Sequence, residues 1–120
     1  MDNSEPRSIL SLLEGEELSA ITFVMDYLQL HFNGPCLNAY VWPSIMTQKD
    51  LISPTTPGYR DALCELIGKA VAKGYEEPEE SLVIEFVDGV TLTVSLREED
   101  RDVVEAAWFF TADHRDSYVW

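Results

Sequence analysis

The chain has 120 residues, of which 46% are hydrophobic, so it has the length of one domain and enough apolar side chains to bury a core. Its 22 acidic residues outnumber its 8 lysines and arginines, and the resulting net charge of −14 disfavours nucleic-acid and anionic-membrane partners, which need cations. The same charge would attract a basic protein partner.

The sequence also bears on the compartment of the protein. The N-terminal residues lack the basic region and apolar core of a signal peptide, and no apolar run approaches the ~20 residues of a membrane helix. The two cysteines, Cys36 and Cys64, are far apart and form no CxxC pair, which favours two reduced thiols, although a disulfide between them stays open. We therefore expect a cytoplasmic protein.

Alternating apolar and polar residues predict three strands in the first half of the chain, over 20–24, 27–32 and 36–42. Met25-Asp26 and Asn33-Gly34 supply the turns between them. The first half is thus expected to form a meander of antiparallel strands.

The next segment contains three prolines and several Ser/Thr residues between positions 43 and 57, which predicts a loop. A helix is expected from Gly58, because Tyr59, Leu63, Leu66 and Ile67 form an apolar stripe at helical spacing. Gly68 is suited to end this helix.

The second half repeats the strand signals. We predict a strand over 71–75, an acidic loop over 76–80, and a hairpin of 82–87 and 90–96 around Asp88-Gly89. A charged turn and a short helix are expected over 98–107, and the aromatic tail after residue 107 is not assigned.

These elements predict an α+β fold: a mostly antiparallel β-sheet of about six strands with one or two helices, in a single domain over residues 1–120. The pattern also indicates a duplicated αβββ unit, with pseudo-repeats over 8–57 and 58–107. Both halves read apolar-x-apolar-x-Phe before a turn that ends in glycine. The alternative is that two hairpin-rich segments resemble each other by chance.

No catalytic or cofactor-binding motif occurs in the chain: a Gly-rich phosphate loop, GxSxG and HExxH are all absent. His31 and His114 are candidate acid–base or metal groups, but zinc sites need three or four ligands at recognisable spacing. An unliganded histidine on a strand face and a solvated loop histidine are the simpler interpretations. We expect no enzyme activity, no cofactor and no metal.

Aromatic residues and acids are the remaining features from which a function can be argued. The aromatic residues of interest are Tyr40, Trp42, Trp108, Phe109, Phe110, Tyr118 and Trp120. On an acidic surface such residues are typical of a binding hot spot, whereas a C-terminal Tyr-Val-Trp docked against the sheet would be part of the core. The acidic clusters are Glu76, Glu77, Glu79 and Glu80, and then Glu98, Glu99, Asp100 and Asp102.

Several segments resemble a family of small acidic bacterial proteins without assigned activity, some of which look like immunity proteins of contact-dependent or polymorphic toxin systems. The segments are TFVMDYLQLHFNG at 22–34, GYRDALCELIG at 58–68, EFVDG at 85–89 and the final Val119-Trp120. The resemblance covers about residues 12–120. Its motifs are hairpins and a helix, so it implies a fold and no catalytic residues.

An immunity role is also consistent with the charge, because nuclease toxins are commonly basic and an acidic inhibitor complements them. The first prediction is therefore a protein that binds and neutralises a basic toxin domain. We expect its partner-binding residues to be Asp26, Trp42, Glu76, Glu77, Glu79 and Glu80, which the pattern places at loops and sheet edges. The alternative is a non-catalytic domain that binds a small molecule or peptide on a sheet face with His31 and Tyr40. The oligomeric state stays open, including a homodimer.

Overall fold

The computed structural model describes residues 8–120 as two antiparallel β-sheets with little helix. In chain order the strands are β1 (Ala20–Phe23), β2 (Leu28–His31), β3 (Cys36–Ala39), β4 (Ser44–Met46), β5 (Leu51–Ile52), β6 (Val71–Glu77), β7 (Ser81–Phe86), β8 (Thr91–Ser95), β9 (Ala107–Phe110) and β10 (Ser117–Val119). The only α-helix in this part of the chain is α1 (Tyr59–Cys64), and two 3₁₀ helices cover Ile9–Leu13 and Glu98–Asp100. None of these helices is long and apolar enough to cross a membrane. The first seven residues, which bear on the signal-peptide prediction, lie outside the described residues.

Each sheet has five strands. The first sheet has the order β1-β2-β3-β9-β10, and the second has the order β5-β4-β8-β7-β6. All neighbouring strands are antiparallel. The prediction of a mostly antiparallel sheet structure is thus confirmed.

The two strongest turn signals form hairpins as predicted. Asn33 and Gly34, with φ of 56° and 133°, connect β2 to β3, and Gly89, with φ of 92°, lies between β7 and β8. Positive φ is inexpensive for glycine and tolerated by asparagine, which explains why these dipeptides mark the turns.

The predicted number of about six strands is wrong, since residues 8–120 contain ten. The expected loop over 43–57 contains the hairpin of β4 and β5, and the unassigned tail forms β9 and β10. The strands β4, β5 and β10, of two or three residues, are too short to give an alternating pattern. The pairing of β4 with β8, and of the four-residue β9 with β3, is not local in sequence. The expected short helix over 98–107 is a single 3₁₀ turn followed by coil and the start of β9.

The helix prediction is correct in place but too long. The α-helix ends at Cys64, and the side chain of Ile67 is 41% exposed, so the last position of the predicted apolar stripe does not face the core. The expected acidic loop also begins later than predicted, because β6 extends through Glu77 and includes Glu76.

One hydrophobic core contains buried side chains from both sheets. Leu30, Leu37 and Phe109 come from the first sheet, and Ile84 and Leu92 come from the second. Leu10 and Leu13 of the first 3₁₀ helix and Tyr59 of α1 are also buried there, and the Tyr59 hydroxyl donates to the Pro43 carbonyl at 2.6 Å.

Both halves of the chain follow one order of elements: a short helix, a three-stranded meander and a two-stranded hairpin. Each hairpin joins the sheet of the other half, since β4 pairs with β8 and β9 pairs with β3. The backbone hydrogen bonds between the halves are reciprocal: Gly15 N–H donates to the Val71 carbonyl at 2.9 Å, and Gly68 N–H donates to the Leu18 carbonyl at 2.7 Å. A gene duplication would account for this arrangement and stays a prediction.

Candidate partner-binding surface

A groove with acidic and aromatic walls runs between the β3–β4 connection and β8. Its lining includes Asp26, Tyr40, Trp42, Asp100 and Asp102, and no lysine or arginine from the described residues 8–120 lines it. The Trp42 indole N–H points to the Asp26 carbonyl at 3.5 Å. The structure thus brings together Asp26 and Trp42, two of the residues predicted from sequence, with a second acidic segment.

An adjoining groove carries the other predicted cluster. Glu76, Glu77 and Glu80 line it, together with Arg97 and Asp100. The two grooves share Thr93, Ser95 and Asp100 on and after β8. We call this continuous surface, from Asp26 to Glu80, the acidic band.

The four glutamates of the first acidic cluster differ in their surroundings. Glu76 pairs with buried Leu82, so it lies on the inner side of β6, where its carboxylate accepts the Trp120 indole N–H at 3.0 Å. Glu77 accepts a hydrogen bond from the Ser81 hydroxyl at 3.3 Å. Glu79 is an exposed turn residue with φ of 66° and lines neither groove, whereas Glu80 is exposed and lines the second.

The segment that carries Asp100 and Asp102 is held by hydrogen bonds. The Arg101 guanidinium donates to the Leu96 and Val104 carbonyls, each at 2.7 Å. The Ser95 hydroxyl donates to the Asp100 carboxylate at 2.6 Å. Arg101 therefore fixes the backbone of this loop and makes no ion pair with either aspartate in the described part of the chain.

The negative charge of the acidic band is poorly compensated. Among residues 8–120, Arg97 is the one cationic side chain that lines either groove, and its guanidinium pairs with Glu99, which also raises the pKa of Arg97. No ion pair within residues 8–120 involves Asp26, Glu80 or Asp102. These carboxylates are available to a cationic partner.

Sequence reasoning noted the second acidic cluster but did not include Asp100 and Asp102 in the site. The register explains the omission: Ser81 pairs with Ser95, so the β6–β7 turn and the segment after β8 lie side by side. The signal in the sequence was the pair of acidic runs that flank the β7–β8 hairpin.

Trp42 has both a packing role and an exposed edge. Its ring centroid lies 6.2 Å from that of Phe23 and 6.3 Å from that of Tyr59. The Arg60 guanidinium lies 5.5 Å from the Trp42 centroid and 5.0 Å from the Phe23 centroid, within the range of a cation–π contact. Trp42 is therefore half-buried and already in contact with a cation on one side.

The outer face of the first sheet has a different character. The register places ten strand residues on it, none of them Asp, Glu, Lys or Arg: Ala20, Thr22, Gln29, His31, Cys36, Asn38, Trp108, Phe110, Ser117 and Val119. We call it the neutral face. The outer face of the second sheet, in contrast, carries Lys73, Glu77 and Glu85.

The candidate catalytic groups Cys36 and His31 are hydrogen-bonded to other residues. Cys36 and His31 are opposite each other on β3 and β2, but the Cys36 thiol bonds to Asn38 at 3.5 Å and His31 Nε2 contacts the Thr22 hydroxyl at 3.1 Å. Burial raises the pKa of the Cys36 thiol, which disfavours the nucleophilic thiolate.

Both cysteines are free thiols. His114 is an exposed turn residue near the Phe110 ring. No group of three or more potential ligands occurs among residues 8–120.

Comparison with protein-family models, curated proteins and solved structures found no match for this chain.

Proposed function

We propose that this chain is an immunity protein of the antitoxin type, which binds and neutralises a basic bacterial toxin domain such as a nuclease. The observation that carries the proposal is the acidic band, in which two adjoining grooves present six carboxylates beside a single arginine that is paired elsewhere. Inhibition of this kind needs no cofactor or catalytic residue. It also requires the protein to be in the cytoplasm, where the toxin acts.

The band supports binding through two physical effects. A surface of one charge sign raises the rate of encounter with a partner of opposite sign, and the gain falls as salt screens the charges. Aromatic anchors such as Tyr40 and Trp42 would slow dissociation by excluding water from the contact. The acids would act mainly on association, and the rings mainly on the lifetime of the complex.

Co-expression is the direct test of the proposal. The chain would be expressed with the C-terminal domain encoded by the gene immediately upstream, and growth and co-purification would be scored. Rescue of growth with a stable complex is the expected result. A toxic domain that this chain neither rescues nor binds would contradict the proposed pairing.

Charge reversal tests the role of the band. Glu77→Lys with Glu80→Lys should slow association about tenfold at low salt and flatten its salt dependence. Glu17→Lys with Glu65→Lys is the matched control, because these exposed acids line neither groove but change the net charge equally. Equal slowing in both variants would show that net charge, and not the band, directs the encounter.

A second candidate function is a domain that binds a small molecule or peptide on the neutral face. The observation that favours it is that His31 lies on this face and Tyr40 continues it, with its ring centroid 5.1 Å from that of Tyr27. Native mass spectrometry of the purified chain would show a bound species in this case. A mass equal to that of the chain alone would contradict it.

A further inference from the structure

The neutral face is unusual in so acidic a chain. A quarter of all residues are Asp, Glu, Lys or Arg, yet none of these four residue types is found among its ten strand positions. An open sheet face usually carries charged side chains toward water, as the second sheet does. The absence of charge therefore requires a reason other than solvation.

Aromatic side chains occupy the centre and one end of the neutral face. Trp108 and Phe110 stack with centroids 5.3 Å apart and an interplanar angle of 19°, and Trp108 remains 36% exposed. The tilted rings of Tyr27 and Tyr40 are in contact at one end of the face, and this end adjoins the acidic band because Tyr40 also lines the first groove. The face and the band therefore meet at Tyr40.

Exposed charged residues lie at the ends of the strands of this face, and all but Arg115, which pairs with Asp113 at 3.9 Å, are acids. Asp26 lies in the β1–β2 turn, Glu105 precedes β9, and Asp113 and Asp116 lie in the β9–β10 turn. The Arg115 amide and the Thr111 hydroxyl donate hydrogen bonds to the Asp113 carboxylate, which lowers its pKa. A centre without charge and with aromatic rings, inside a charged rim, is the composition of a protein–protein interface core.

We infer that the neutral face is the core of the contact with the basic toxin domain, and that the acidic band forms one side of its rim. The inference rests on the proposed function and names the surface that performs it. Charge complementarity identifies the occupant, because the acidic rim attracts a basic protein. A second copy of this chain would bring two rims of the same sign together.

Trp108→Ala is the main test, because Trp108 is the most exposed aromatic residue of the face. The Trp108→Ala variant should no longer rescue growth against the toxin domain. The dissociation rate of its complex with that domain should rise about 30-fold or more, as for an interface hot spot. Tyr118→Ala is the matched control: Tyr118 is equally aromatic and 49% exposed on the next strand, but pairs with Phe109 on the opposite face. The dissociation rate of the complex formed by the Tyr118→Ala variant should change less than threefold.

Val119→Lys is a second variant, in case removal of the tryptophan disturbs folding. Val119 is 44% exposed on the neutral face, so lysine keeps its charge in water in the free chain but meets a basic partner in the complex. Circular dichroism and thermal unfolding should match the unmodified chain, while the affinity falls.

The outcomes separate this inference from the proposed function. If the unmodified chain rescues growth and both neutral-face variants rescue equally well, the inference is wrong and the immunity function stands. If the unmodified chain does not rescue growth, the inference and the proposed immunity function are both wrong. A doubled mass in light scattering that Val119→Lys abolishes would assign the face to a second copy and overturn the choice of occupant.

Discussion

Replacing Gly74 by alanine should destabilise the fold strongly, although the change adds one methyl group. Gly74 lies in the middle of β6 and its backbone conformation suits any residue, so the expected effect is steric. An added Cβ would lie 2.4 Å from the Leu10 carbonyl oxygen and 3.0 Å from the Leu10 carbonyl carbon. Both atoms belong to backbone and cannot rotate away.

The size of the effect follows from what has to move. To reach van der Waals distance, the first 3₁₀ helix would have to shift outward by about 1 Å, and such overpacking costs about 1–3 kcal/mol. The shift would also lengthen the hydrogen bond from the Gly74 amide to the Glu14 carboxylate, now 3.2 Å, and partly expose buried Leu10 and Leu13. With about 1 kcal/mol for the hydrogen bond, the total loss is about 2–4 kcal/mol.

Urea unfolding followed by circular dichroism would measure this loss as a lower midpoint at an unchanged slope. Lys73→Ala is the matched control, since Lys73 is the exposed neighbour on the same strand and should change stability by less than about 0.5 kcal/mol. A Gly74→Ala variant as stable as this control would refute the close packing of the 3₁₀ helix on β6.

Further predictions concern a buried hydroxyl, the two thiols and the last tryptophan. Tyr59→Phe should cost about 1–2 kcal/mol, because it leaves a buried carbonyl without its donor. Burial raises the pKa of the Tyr59 hydroxyl, so this hydroxyl loses its proton near pH 10 in the unfolded chain but keeps it in the folded chain. Stability should therefore fall above about pH 10, and it should fall less steeply in Tyr59→Phe. Urea unfolding at several pH values across this range would measure both trends. Cys64 is exposed and should react with Ellman's reagent in a fast phase, whereas buried Cys36 should react in a slow phase. Reaction of both thiols in one kinetic phase would contradict this prediction. Trp120→Phe should lower thermal stability by about 1 kcal/mol, since the Glu76 carboxylate loses its donor; an unchanged melting temperature would remove this contact from the account.

Local signals in the sequence predicted the parts of the fold that local physics determines. Asn33-Gly34 and Asp88-Gly89 form their hairpins because the turn conformation depends on these residues alone. The start of α1 after Gly58 followed in the same way from the apolar stripe.

Pairing between distant segments was not accessible from the sequence. The three residues of β4 follow Pro43 and have no pattern of their own, and they become a strand because β8 offers a free edge. The strand Ala107–Phe110 is apolar at every position, so its sequence shows no alternation, and only the pairing with β3 shows that Phe109 faces the core and Trp108 does not. The aromatic tail is thus divided: Phe109 belongs to the core, and Trp108 lies on the neutral face.

The sequence predicted the acidic and aromatic composition of the candidate site better than the position of each residue in it. Glu80, Asp26 and Trp42 lie on the acidic band, whereas the Glu76 carboxylate is bonded to Trp120. A run of acidic residues looks the same in the sequence whether its carboxylates face water or accept hydrogen bonds within the fold. The sequence therefore could not show which of these acids are available to a partner.

The exchange of hairpins between the two halves has a consequence for how the chain folds as it is synthesised. The meander of β1, β2 and β3 leaves the ribosome early, but the free edge of β3 is covered only when β9 follows about 70 residues later. Until then this edge can pair with other chains. Such long-range closure makes folding slow and places it after translation, so we expect the nascent protein to depend on chaperones for longer than a domain of the same length built from sequential hairpins.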